Sequence, residues 1–262
     1  MLSRGQFLPA LTGLRGFAAL MVLAYHSHDF IQTGTWPLVK MGWIGVDIFF
    51  VLSGFIISHV HTTDFIQIST TAVIRFLALR LSRIYAVHVV TLFATLAYLG
   101  CRLLLGAPPS GERFSIGSFI GNLFLVHAWD SDRLTWNFVS WSISAEWAAY
   151  LVFPVVAYRL VRLRSATIAL VGAAASIAAM IAILRALGAD SMSVEIRYAL
   201  IRAAGSFLAG CFLYSAYRTK RLEVLPWGLI TTLALFILAV QIVMVETSFW
   251  AMPTIEIGRA HV

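Results

Sequence analysis

Residues Leu8–His26, LPALTGLRGFAALMVLAYH, form a run apolar enough to enter a bilayer, yet it contains Arg15 and closes on His26. At about 100° per residue, the eleven steps between those two come to three turns plus roughly 20°, so both sit on one helix face about 16 Å apart. A cation in an apolar span costs at least a few kcal/mol against lipid, so it faces protein, a water-filled cavity or the interface. Two readings follow for the pair. Either both line a hollow, or Arg15 snorkels to one interface while His26 sits at the other.

The rest of the chain is of the same kind. Of 262 residues, 60% are hydrophobic and 12% charged, against about 25% charged in a soluble domain. Several runs reach the ~20 residues that cross a bilayer. The expected fold is therefore all-α, a polytopic transmembrane helical bundle of about seven spans: 8–26, 42–60, 84–105, 139–161, 167–187, 197–217 and 227–246. The net charge of +7 comes from short clusters between apolar runs, which suits cytoplasmic loops and anionic membrane lipids and argues against nucleic acid. No cleavable leader is evident at the N-terminus. Cys101 and Cys211 lie in apolar stretches and read as packing residues, and no set of residues reads as a metal site.

Residues 27–41 carry Asp29, Gly34 and Pro37 and read as a loop. In the second span Asp47 and Gly54, seven residues apart, share a face, with Ser53 about 120° from Asp47. A carboxylate there needs a partner, whereas Ser53 and Gly54 are also what close helix packing requires. Residues 73–83 are basic and amphipathic, with Arg75, Arg80 and Arg83, and serve either as a topology anchor or as phosphate ligands. The apolar stretch 116–128 is short for a crossing and reads as re-entrant or interfacial. That choice leaves the basic triplets 75/80/83, 159/162/164 and 218/220/221 on one side. Ser142, Glu146 and Tyr150, at successive steps of four, form a polar stripe that faces inward. His28, His59, His61, His88 and His127 read as polar contacts, and Trp36, Trp43, Trp129, Trp136 and Trp227 as interfacial anchors.

Four features in this order resemble the acyltransferase-3 family of integral membrane acyltransferases. They are Arg15 followed by ten residues and His26; Asp47 with FFVLSG at Phe49–Gly54; Arg80-Leu81-Ser82-Arg83; and WSISAEWAAYLVFP at Trp141–Pro154. The resemblance implies a multi-pass protein of the bacterial cytoplasmic (inner) membrane. It implies an acyl-CoA co-substrate, acetyl-CoA first, and as acceptor a hydroxyl of a surface polysaccharide or lipid-linked sugar. On that basis His26 is the catalytic histidine and Arg15 the cation of its motif; Asp47, Ser53 and Gly54 form the second motif, with Asp47 expected in catalysis and Ser53 and Gly54 at the donor site; Arg80 and Arg83 meet the nucleotide end of the donor; and Glu146 is the acidic residue of the fourth, expected in catalysis. Members usually have about ten spans, so residues 1–262 are expected to be a single acyltransferase domain cut short at its C-terminus.

The chemistry fits. An alcohol attacking a thioester needs a general base near pKa 7, and histidine is closest to that value unaided. Glu146 or Asp47 is expected to accept the second imidazole N–H and orient the ring, and Arg15 to hold the pyrophosphate or the developing oxyanion. Direct transfer is favoured over an acyl-enzyme on His26 or Ser53, since no base stands at a spacing from Ser53 that sequence alone supports. A membrane transporter or flippase for a lipid-linked or acylated glycan is the alternative. The paired halves or interrupted helices expected of one are not found in the sequence.

Overall fold

The computed structural model describes residues 9–31, 39, 41–107, 114–129, 135–189 and 196–219. Among them are seven α-helices: α1 Pro9–Ile31, α2 Ile44–His61, α3 Thr70–Leu104, α4 Ile116–Leu123, α5 Trp141–Leu160, α6 Ala166–Ala186 and α7 Ala199–Tyr217. Four are long and apolar enough to cross a membrane: α2 with its following turn (Ile44–Phe65), α3, α6 and α7. Helices α1 and α5, of 23 and 20 residues, have the length as well. The expected span at 227–246 lies outside the described residues.

Local sequence sets the ends of these helices. Ser69, Ser115 and Ser165 cap α3, α4 and α6, each hydroxyl accepting from the backbone N–H three residues on, a contribution of about 1 kcal/mol apiece. Gly106 and Gly188 follow α3 and α6 in the left-handed region, at φ of 73° and 75°. Ala107 N then reaches back to Arg102 O and Ala189 N to Leu184 O, satisfying orphan carbonyls.

Two boundaries differ from the expectation. Helix α1 runs past His26 to Ile31, because His26 and Ser27 return their side-chain donors to the carbonyls of Val22 and Leu23 rather than opening a turn. The basic stretch 73–83 and the third span are one 35-residue helix, α3. No glycine or proline interrupts it before Gly100, and at about 52 Å it is longer than a bilayer's hydrocarbon is thick.

The short stretch after α3 does not cross. Helix α4 has eight residues, and its chain reverses through Leu125, a non-glycine residue at φ 57°. That conformation costs on the order of 1–2 kcal/mol. It is held by burial of Leu125 and by Ser144 of α5, whose hydroxyl donates to Leu125 O and accepts from Ala128 N. Beside this loop the rings of His88 and His127 stack, 5.6 Å apart and 5° from parallel. Ser140 Oγ donates to Asn137 O, so His127 Nε2 donates to Ser140. Burial, and then the neighbouring His88, hold the His127 imidazole down to about 4. An unfolded histidine titrates near 6.5, so between those values the unfolded chain binds the extra proton and stability falls as pH drops through that window. We expect about 2–3 kcal/mol of lost stability between pH 7 and pH 4 from this group. Thermal unfolding of the detergent-solubilised protein should show it, and His127→Phe should flatten the dependence.

Helix α7 is the centre of the packing and touches α2, α5 and α6. Its crossing with α2 is tight because Gly54 faces the Phe207 carbonyl and Gly210 faces the Val51 carbonyl, each leaving no room for a Cβ. Gly54→Leu should force the two helices apart and lower the amount of folded protein in membranes several-fold, read by immunoblot against the wild type.

An aromatic core of Phe65, Phe76, Phe153 and Phe207 ties the α2–α3 turn to α5 and α7. At the same end of the bundle, Arg218 donates to the carbonyls of Leu160, Val161 and Leu163, and Arg162 to that of Ile66. Among the described residues, arginines of the three basic regions thus meet at one end, and Arg162 and Arg218 also serve as helix-end ligands. Outward on α1 and α3, by contrast, Phe17, Leu20, Leu23, Val87, Val90 and Phe93 are exposed, as a lipid-facing surface requires.

Candidate active site

Six of the eight residues singled out from sequence line one cavity of about 550 Å³: Arg15 and His26 from α1, Ser53 from α2, Arg80 and Arg83 from α3, and Glu146 from α5. The volume suits a small-molecule site. The stripe Ser142, Glu146 and Tyr150 faces the same space. Apolar walls from Phe49, Phe50, Ile56 and Ile57 give these charges a poorly screened surrounding.

The histidine is held by its own helix. His26 Nδ1 lies 2.9 Å from Val22 O. A carbonyl only accepts, so Nδ1 carries the proton and Nε2 keeps its lone pair. This revises the expectation that Glu146 or Asp47 orients the ring, since a backbone carbonyl does so.

Glu146 is engaged elsewhere. Its Oε1 accepts the Ser53 hydroxyl proton at 2.5 Å, and the Tyr150 hydroxyl lies 3.5 Å from the same serine oxygen. The spacing between residues 53 and 146 concealed this partner. Only the inward stripe on α5 pointed toward it.

Asp47 does not line the cavity. Both of its carboxylate oxygens accept from Arg202, at 2.8 and 3.3 Å, and the Arg202 guanidinium lies between the rings of Trp43 and Trp141, 5.5 and 5.4 Å from their centres. A buried carboxylate takes the nearest cation, and Arg202 on α7 is 2% exposed. Sequence reasoning required a partner for Asp47 but did not find Arg202, which lies 155 residues away. Its only signal was a lone arginine inside an otherwise apolar helix. Gly54, expected at the donor site, instead makes the α2–α7 contact, because its missing side chain is what allows the Phe207 backbone to approach.

On the inner side of the cavity Arg80 donates through Nη2 to His61 Nε2 at 2.5 Å, and His61 Nδ1 in turn donates to Asp64 Oδ2 at 2.9 Å. An arginine only donates, so His61 is the acceptor at Nε2 and its proton sits toward Asp64. This pair aims the guanidinium, which also lies 5.9 Å from the Phe76 ring centre. His61 thus acts as a contact of the cavity arginine. Asp64 had no sequence signal beyond its spacing of three from His61.

In sum the cavity combines an imidazole with an open lone pair, three guanidinium groups and a serine on a carboxylate. That set can bind phosphate, accept a proton from an alcohol and stabilise an oxyanion.

Comparison with known proteins agrees in class. The chain is 34% identical over 165 residues to the acyltransferase MdmB of Streptomyces mycarofaciens, covering 59% of this chain and 40% of that protein. It is 42% identical over 59 residues to the peptidoglycan O-acetyltransferase OatA of Listeria monocytogenes, covering 22% and 8%. It is 32% identical over 79 residues to the O-acetyltransferase OatA of Staphylococcus aureus, covering 30% and 12%. The matched stretches thus span less than half the length of each of these relatives. No solved structure matches the chain. The acyltransferase-3 profile, described as an acyltransferase domain, matches residues 8–257, and with the helical bundle and its cavity this makes the chain a multi-pass membrane protein of the acyltransferase-3 family.

Proposed function

We propose that this protein is an O-acyltransferase of the bacterial inner membrane that moves an acyl group, acetyl first, from acyl-CoA to a hydroxyl of a surface polysaccharide or glycolipid. The observation that carries the reading is the meeting of His26 with Arg15, Arg80 and Arg83 in one cavity. The same gathering supports an enzyme over a transporter, whose ionisable residues would line a path without a poised base. Peptidoglycan O-acetyltransferases among its relatives support a glycan acceptor.

In this reading Arg80 and Arg83 pair with the phosphates of the donor, for which their planar donors are suited. Arg15 balances charge developing at the thioester oxygen or holds the pyrophosphate. His26 accepts the proton of the acceptor hydroxyl at Nε2 while Val22 O steadies the ring. The basic end of the bundle faces the cytoplasm, where acyl-CoA is made.

The test is transfer itself. Membranes from cells making the protein, incubated with acetyl-CoA labelled in its acetyl group, should incorporate label into a glycan fraction. Equal incorporation by membranes lacking the protein would contradict the reading.

A further inference from the structure

We propose that Ser53 carries the acyl group as a covalent ester between donor and acceptor; this rests on the acyltransferase reading and specifies its path. The case begins with depth. Ser53 stands nine residues after Ile44 and eight before His61, at the middle of α2, so in a spanning helix its hydroxyl lies near the bilayer centre. The donor enters from the arginine end and the acceptor from the other. A group parked at mid-depth removes the need for both substrates to reach across at once.

Next comes activation. The hydroxyl has one proton, and that proton is committed to Glu146 Oε1. One lone pair of the oxygen faces the Tyr150 hydroxyl, 3.5 Å away, and the other is left for the cavity that Ser53 lines. A hydroxyl bonded to a fixed carboxylate is the arrangement a serine nucleophile needs. The base that sequence spacing could not supply is present, on another helix. Arg15 lines the same cavity as Ser53 and Glu146 and supplies the cation for the negative charge that builds on the carbonyl oxygen. Glu146 is bonded to Ser53 and His26 to Val22 O, so each base has its own partner. The cavity therefore holds two bases that can act in separate steps.

The steps balance. In the first, Ser53 Oγ forms a bond to the acyl carbon and gives its proton to Glu146. The carbon–sulfur bond breaks, and coenzyme A leaves as a thiolate that takes a proton from water. A thiol of pKa about 8.5 leaves far more readily than a serine alkoxide, so the intermediate collapses toward the ester. In the second step the acceptor hydroxyl attacks that ester and gives its proton to His26 Nε2. The Oγ–carbon bond breaks, Glu146 returns its proton to Ser53, and His26 releases its own to water.

The experiment uses the purified full chain in liposomes with acetyl-CoA labelled in the acetyl group. Without acceptor, wild type should retain acid-stable label that mass spectrometry assigns to the peptide containing Ser53, and adding acceptor glycan should discharge it. Ser53→Ala should hold no label and transfer at least 100-fold more slowly while still binding coenzyme A. Ser53→Cys should hold a label that neutral hydroxylamine removes, which shows that the site is folded and reactive. Transfer by wild type with no label at Ser53, or wild-type rates from Ser53→Ala, would overturn the covalent step and leave the acyltransferase reading standing. If acetyl reaches neither protein nor any acceptor, both fall together.

Discussion

Replacing His26 with alanine is expected to lower acyl transfer by about 10²–10⁴-fold, the usual effect of removing a positioned general base, while leaving the amount of protein in the membrane unchanged. The expectation of normal folding comes from the surroundings of the ring. His26 is exposed, its hydrogen bond is to Val22 O of its own helix, and its ring contact is to the adjacent Tyr25. Losing it opens no core and strands no buried charge, so stability should shift by less than about 1 kcal/mol. Chemistry and folding are thus separable at this position. His26→Gln keeps a donor toward Val22 O but lacks a base, so it should be as slow as alanine. Near-normal turnover from either variant would remove the imidazole from the reaction.

The second large effect lies outside the cavity and has the opposite signature. Asp47→Ala leaves the Arg202 guanidinium buried without a counter-ion, at a cost of about 3–5 kcal/mol. The protein should lose yield in membranes and unfold at a lower temperature in detergent. Replacing both partners with apolar residues of similar size, Asp47→Leu with Arg202→Met, should recover most of that stability, because the desolvation of both charges is removed together. The double variant should also transfer acyl groups, since the pair lies beyond the lining of the cavity. A double variant that is stable yet as slow as His26→Ala would return Asp47 to the chemistry.

These two positions also show what the chain's order of residues discloses. The shared face of Arg15 and His26 was legible, because eleven residues on a helix is a local relation and apolar flanks made any other structure costly. The inward stripe of Ser142, Glu146 and Tyr150 was legible for the same reason. Partners across helices were not. The Ser53–Glu146 bond and the Asp47–Arg202 pair span 93 and 155 residues, and a helical wheel says which face a side chain takes without saying which helix meets it. The second motif therefore looks like one functional unit in sequence although it serves two ends. Ser53 turns to the cavity, while Gly54 turns to the Phe207 backbone. Likewise the continuity of α3 is not legible, because its composition changes from basic to apolar at residue 84 while the helix needs no break where only its surroundings change.

The central claim is that the arginines and the base serve one cavity in which a coenzyme thioester is held. Coenzyme A binding to the purified protein, followed by calorimetry at low and moderate salt, tests it most directly. Arg80→Ala with Arg83→Ala should weaken binding by at least 10-fold and reduce its salt dependence, whereas His26→Ala and Arg159→Ala should bind as the wild type does. Unchanged affinity in the Arg80/Arg83 variant would contradict the account.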